Sequence, residues 1–187
     1  LDAALARVRE LELETARLRE VLAIREAQSP GVVATAQVVG GSSGVVVERL
    51  TLGSGSADGL RERMPVTVPA GLVGIVTEVT PRRAVVRTIL DSESRVGVSV
   101  RGKGGQGVAV GEIGGRVRVV RFVEDEPVAV GDVVETSSYG GLFPRGVRVG
   151  VVDEVLPPDP NDLRRSFLVR PAADLSTLLE VALIAPQ

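Results

Sequence analysis

The sequence predicts a mainly β protein: an N-terminal coiled-coil helix followed by two small β-barrel domains. Three observations carry this. Residues 1–28 hold neither Gly nor Pro and repeat apolar residues with a period near 3.5. From residue 32 onward, Val-rich runs recur at a spacing of roughly 8–12 residues, the spacing of small barrels and sandwiches. Hydrophobic residues make up 44% of the chain but aromatics only 2%, so the core must be aliphatic, and 22 Gly and 11 Pro favour short strands and tight turns.

The helix comes first. With Leu1 at position a, the a sites are Leu1, Val8, Thr15 and Leu22, and the d sites are Ala4, Leu11, Leu18 and Arg25. The seam weakens at Thr15 and fails at Arg25. Its dimerisation candidates are Leu1, Ala4, Val8, Leu11, Leu18 and Leu22. Arg7 with Glu12 and Glu14 with Arg19 of a second copy would attract in a parallel dimer, and an antiparallel pair also matches these charges. A lone amphipathic helix lying on its own β-domain is the competing reading. Ser29, Pro30 and Gly31 stop the helix.

Strands are expected at 32–39, 45–52, 64–68, 72–79, 84–90 and 96–100, and again at 107–110, 117–122, 133–136, 147–155, 167–170 and 178–184. Pro69-Ala70-Gly71 is a tight turn and 102–107 a glycine-rich hairpin tip. Residues 157–161 read as an irregular loop and 171–175 as a helical turn. The expected domains are 1–29, 30–100 and 101–187. Sequence leaves open whether the last strand belongs to the second barrel or returns to the first.

Composition excludes several function classes. The net charge of −2 offers no field for nucleic acid, and no basic cluster is interleaved with aromatics. The chain has no Cys and no His, so it has no disulfide, no thiolate metal site and no histidine base. No run of roughly 18 apolar residues exists to span a membrane as a helix. The chain starts at Leu1 inside a heptad pattern, which suggests an upstream anchor that is not part of it. No cofactor or metal is expected.

Catalytic motifs fail on inspection. Gly40-Gly41-Ser42-Ser43-Gly44 matches a nucleophile elbow but sits between strands and has no base. Residues 97–103 begin like a phosphate loop, yet Gly104 stands where a magnesium-binding Ser or Thr belongs. The glycine spacing of 53–59 does not fit a dinucleotide loop, and positive φ explains those glycines better. Asp58, Asp91, Glu93, Glu124, Asp125, Glu126 and Asp132 are scattered, with too few aromatics for a sugar platform.

Residues 131–155, GDVVETSSYGGLFPRGVRVGVVDEV, are the most distinctive stretch. Pro144 presets φ at the second position of a turn and Gly146 suits its fourth. Phe143 reads as a core plug, with an exposed partner anchor as the alternative.

Two blocks together resemble the MreC family of rod-shape-determining proteins. The first is residues 48–91, with a Gly-Ser-rich loop, the Gly71-Leu72-Val73-Gly74-Ile75-Val76 hairpin and a closing Asp91. The second is 131–155, carrying Gly131, Asp132, Thr136, Ser137, Gly140, Gly141, Phe143, Pro144, Gly146 and Gly150. Ser138 and Tyr139 depart from the Gly and Leu-like residue usual there.

The resemblance implies a short cytoplasmic tail, one transmembrane helix, a periplasmic coiled coil and two β-barrels, with no enzymatic activity. It implies a scaffold of the peptidoglycan elongation machinery that self-associates as a homodimer or higher assembly. It also implies binding to a class B penicillin-binding transpeptidase and work with MreB, MreD and RodA. A shared membrane anchor would make the coiled coil parallel. Two other readings are a double-barrel hydrolase, which without His would have to rely on Lys103, and an OB-like nucleic-acid module, which the charge and scarce aromatics oppose. The 32–52 strands are the candidate binding edge.

Overall fold

A computed structural model of the chain describes residues 7–11, 13–15, 31–42, 44 and 46–186. They fall into two units, Leu1–Gly31 and Val32–Gln187.

In the first unit, residues 7–11 and 13–15 are helical. Arg7 donates to Glu10 one turn on, at 2.7 Å, and the Thr15 hydroxyl donates to the Leu11 carbonyl at 2.7 Å. Such exposed pairs add little stability on their own. Val8 and Leu11 are exposed in the single chain. The other seam positions, Leu1, Ala4, Leu18 and Leu22, lie outside the described residues, as do Glu12, Arg19 and Arg25. Among the described residues no helix is long and apolar enough to cross a membrane.

The second unit holds twelve strands: β1 (Val32–Gly41), β2 (Arg49–Leu52), β3 (Pro65–Val68), β4 (Gly71–Val79), β5 (Ala84–Thr88), β6 (Val96–Val100), β7 (Gly104–Glu112), β8 (Arg116–Val123), β9 (Val133–Thr136), β10 (Arg148–Val155), β11 (Arg165–Pro171) and β12 (Glu180–Ile184). They close into two barrels, in the orders β1-β12-β3-β4-β5-β2 and β10-β11-β8-β7-β6-β9. Every pairing is antiparallel. Closure pairs every strand on both sides, which removes the free edges that drive aggregation.

Alternation builds each core. On β5, Ala84, Val86 and Thr88 face inward, and on β2, Leu50 and Leu52 do. The first barrel is filled by aliphatic side chains such as Leu52, Val66, Leu72, Val76, Val86 and Leu183. The second adds three aromatics, Phe122, Phe143 and Phe167. The rings of Phe122 and Phe167 meet edge to face, with centroids 5.1 Å apart and planes at 73°. A Cβ at Gly107 would lie 2.8 Å from the Phe122 ring, and one at Gly105 would also strike it. Those two glycines of β7 make room for the ring.

Strand assignment differs from the sequence division in one place, and the last strand takes one of the two positions the sequence left open. Val96–Val100, grouped by sequence with the first barrel, pairs with β7 and β9 in the second. β12 inserts between β1 and β3, so the chain's end closes the first barrel. The reason is topological: the second barrel is built from the contiguous stretch 96–171, inserted between β5 and β12. Other differences are local. β2 begins at Arg49 rather than Val45, and residues 172–177 form bends and a turn rather than a helical turn. The expected binding edge at 32–52 does not exist, because β1 is bonded to both β12 and β2.

Candidate interaction surfaces and the motif residues

The first motif block ends where the chain leaves the first barrel. Thr88 is fully buried; its hydroxyl donates to the Val47 carbonyl at 2.6 Å and accepts the Leu90 amide at 3.2 Å. Asp91 is buried and its Oδ1 accepts the Glu93 amide at 2.7 Å. The guanidinium Nε atoms of Arg49 and Arg87 stand 3.7 and 3.9 Å from its other oxygen. A buried carboxylate needs such compensation. Asp91 therefore organises the crossing between barrels, with two arginines as its counter-charges.

Two glycines seat the barrels on one another. A Cβ at Gly71, at the start of β4, would run into the Arg148 carbonyl of β10. One at Gly111, on β7, would run into the Leu90 and Asp91 backbone. Leu72 and Val73 are both buried, although they point to opposite faces of β4, because β10 lies against this end of the strand. Gly74 serves the first barrel alone: a Cβ there would meet the Arg87 carbonyl. The 53–59 loop spends its amides internally. The Gly55 amide donates to Asp58 at 3.0 Å, Ser56 to the Thr80 carbonyl at 2.9 Å and Ala57 to the Pro81 carbonyl at 3.1 Å. Amides committed in this way do not form a phosphate cradle.

The second block is a set of turn locks. Asp132 Oδ2 accepts the Lys103 ammonium at 2.8 Å and the Ala129 amide at 2.9 Å, and Lys103 also donates to the Pro127 carbonyl at 3.0 Å. The Lys103 hydrogen bond first, then that from Ala129, holds the Asp132 carboxyl below its ordinary range. Gly131, with φ of 93°, takes the left-handed turn position before it.

Thr136 is fully buried. Its hydroxyl donates to the Pro144 carbonyl at 2.5 Å and accepts the Val147 amide at 2.9 Å, while its carbonyl accepts the Gly146 amide at 2.9 Å. The Phe-Pro-Arg-Gly turn is thus closed onto one threonine. Phe143 and Pro144 are buried, which makes Phe143 a core side chain rather than an exposed anchor. The Ser137 amide donates to the Gly97 carbonyl at 2.9 Å. A Cβ at Gly97 would strike the Tyr139 carbonyl, and one at Gly150 the Arg170 carbonyl. Gly140 and Gly141 form the exposed tip of the loop, both at positive φ.

The hydrolase alternative finds no support in this geometry. Lys103, its only lysine, is tied to Asp132 and Pro127, and the Ser42 hydroxyl accepts the Glu48 and Arg49 amides at 3.0 and 3.3 Å. Among the described residues no cluster of acidic side chains could hold a metal ion.

Sequence reasoning missed Arg49 and Arg87 as partners of Asp91, and Thr88 as the pin beneath them. An inward-phased threonine in a Val-rich strand was the available signal for Thr88. The arginines carried none.

Apolar side chains reach the surface of the first barrel on β1, where Val32, Val33 and Val39 are exposed. Leu179 is 81% exposed and sits beside them, its carbonyl accepting the Val38 amide at 2.9 Å. On the second barrel, a cleft of about 290 Å³ opens beside β7 and β8.

Fold and motif together define a tandem-barrel protein whose signature residues hold turns, backbone crossings and the junction between barrels. The family model for the rod shape-determining protein MreC, barrel core, matches residues 38–185. The cell shape-determining protein MreC of Listeria monocytogenes is 31% identical over 145 residues, covering 73% of this chain and 48% of that protein. That of Escherichia coli is 30% identical over 175 residues, covering 91% and 46%. A solved MreC structure from Listeria monocytogenes superposes with a TM-score of 0.77 at 26% identity, covering 97% of this chain and 92% of that one. The Helicobacter pylori MreC, solved in complex with the penicillin-binding protein PBP2, shares the fold with a TM-score of 0.63 at 16% identity over 81% of this chain and 96% of that one. The chain belongs to the MreC family. It spans about half the length of the curated relatives it matches.

Proposed function

We propose that the chain is the extracytoplasmic part of a membrane-anchored, non-catalytic scaffold that maintains rod shape within the cell-wall elongation machinery. The observation that carries this is the family match across both barrels, residues 38–185. The internal satisfaction of the motif residues agrees with it: they build a rigid surface and leave no reactive group poised. The 1–29 segment dimerises through the Leu1, Ala4, Val8, Leu11, Leu18 and Leu22 seam, with MreB, MreD and RodA as further members of the assembly.

The partner is a class B penicillin-binding transpeptidase, by likeness to the Helicobacter pylori complex. Since the barrel has no free edge, the partner meets side chains rather than backbone. The exposed Val32, Val33, Val39 and Leu179 are apolar anchors available on the first barrel.

The test is replacement of the corresponding part of the MreC of a rod-shaped relative by this chain, behind that protein's own anchor. Rods are expected. Val33→Glu with Val39→Glu should round the cells while the barrels stay folded. Spherical cells from the unsubstituted chimera, at normal protein level, would contradict the reading.

A further inference from the structure

Strict alternation along β8 runs Val117 and Val119 inward and would carry Arg121 inward next. That would bury an unpaired guanidinium in the second barrel. The strand avoids this with a β-bulge. On one side Val120 faces Val108 while Val123 faces Gln106; on the other, Val119 faces Phe167 while Phe122 faces Arg165. One extra residue is thus taken up on β8 against both neighbours. Phe122 turns into the core and Arg121 turns out.

The cost falls on Arg121 itself, which adopts φ of 55°, the left-handed region that a glycine would occupy without strain. A non-glycine residue held there inside a strand is an outlier of the kind that collects at functional sites.

Arg121 lines the 290 Å³ cleft, whose walls include Val108, Val123, Tyr139, Gln106 and Arg164. Val123 is 58% and Tyr139 60% exposed. The Tyr139 backbone is fixed by the close approach of its carbonyl to Gly97 and by its amide, which donates to the Ser137 hydroxyl at 3.3 Å. Arg164 is already engaged by Asp162, at 2.8 and 3.1 Å. Arg121 has no salt bridge or side-chain hydrogen bond among the described residues, and the Asp162 carboxylate is its electrostatic neighbour. The cleft therefore presents one guanidinium with its donors unused beside an exposed apolar and aromatic wall.

Its surroundings narrow the ligand. Glu124, Asp125 and Glu126 follow directly on β8, with Glu124 3.4 Å from Arg165 and Asp125 accepting the Gly105 amide at 2.8 Å. This acidic shoulder repels a densely anionic surface or a dianion, while a single carboxylate next to an apolar side chain fits.

We propose that this cleft binds an acidic peptide segment of a protein partner, one carboxylate pairing with Arg121 and the adjoining apolar side chain packing on Tyr139 and Val123. This does not depend on the transpeptidase reading, which uses the first barrel.

The test is an NMR titration of the isotope-labelled chain with the capped peptide Ser-Leu-Glu-Leu-Ser, which carries a single carboxylate. Saturable shifts are expected at the Arg121 Nε–H and the Tyr139 and Val123 amides. The Gln-for-Glu peptide should bind at least about tenfold more weakly, as expected for the loss of a charge-assisted hydrogen bond. Arg121→Gly should abolish the shifts and raise the melting temperature, because glycine relaxes the bulge. Arg121→Lys, with no planar fork, should keep the fold and weaken binding. The proposal is overturned if the acidic peptide causes no shifts at these positions or the Gln peptide binds equally well. It is likewise overturned if inorganic phosphate or phosphatidylglycerol vesicles give the same shifts at the same concentration, or if Arg121→Gly lowers the melting temperature.

Discussion

The two barrels have the same strand number and opposite ways of closing. The second is assembled from one uninterrupted stretch, β6 to β11, and its core is keyed by the Phe122–Phe167 pair. The first has an aliphatic core, and its ring is completed only when β12, from the far end of the chain, slots between β1 and β3. Its closure therefore depends on the whole intervening barrel being in place. Loop-closure entropy makes such long-range pairing the slower event. The inserted barrel is the self-sufficient half, and the barrel carrying the exposed valines of β1 is the conditional half.

The sharpest way to break this comparison is to end the chain before β12. Hydrogen exchange should then show protection lost across β1 to β5 and retained across β6 to β11. Loss in both barrels would show that the second needs the first. Next in size are core deletions. Phe122→Ala should cost about 3–5 kcal/mol and Leu72→Ala about 2–5 kcal/mol in urea unfolding, each felt first in its own barrel.

Gly71→Val should cost about 1–3 kcal/mol, since its Cβ meets the Arg148 carbonyl across the junction. Unlike the core variants, it should loosen exchange at β4 and β10 together. The smallest effect belongs to the Lys103–Asp132 lock. The folded-state pKa of Asp132 is lowered, so its contribution is present above the unfolded carboxylate range and is lost as pH falls through the folded value. Asp132→Asn should cost about 1–2 kcal/mol at pH 7, and the gap from the unsubstituted chain should shrink in acid.

How much of this was legible in the sequence follows from which forces are local. Val-rich alternation and Gly-Pro turns located strands because both act within a few residues. Pro144 and Gly146 announced their turn for the same reason. Partner choice is not local. Nothing in Val96–Val100 says that it pairs with β9, and nothing in Glu180–Ile184 says that it returns to β1. Asp91 was picked out by family pattern, but its neutralisation by Arg49 and Arg87 rests on strands 42 and 4 residues away. Arg121 was invisible because a bulge without glycine carries no turn signature; only the break in alternation before Phe122 marks it. The heptad seam was readable because its period acts within one helix; Val8 and Leu11 are its exposed apolar positions among the described residues.

Sedimentation velocity with a purified class B transpeptidase ectodomain tests the scaffold reading most directly, run on the whole chain and on residues 31–187. The whole chain is expected to sediment as a dimer and to shift to a heavier species with the transpeptidase. Residues 31–187 are expected to sediment as a monomer that still binds. Failure of both to bind the transpeptidase, with both barrels folded, would contradict the scaffold reading.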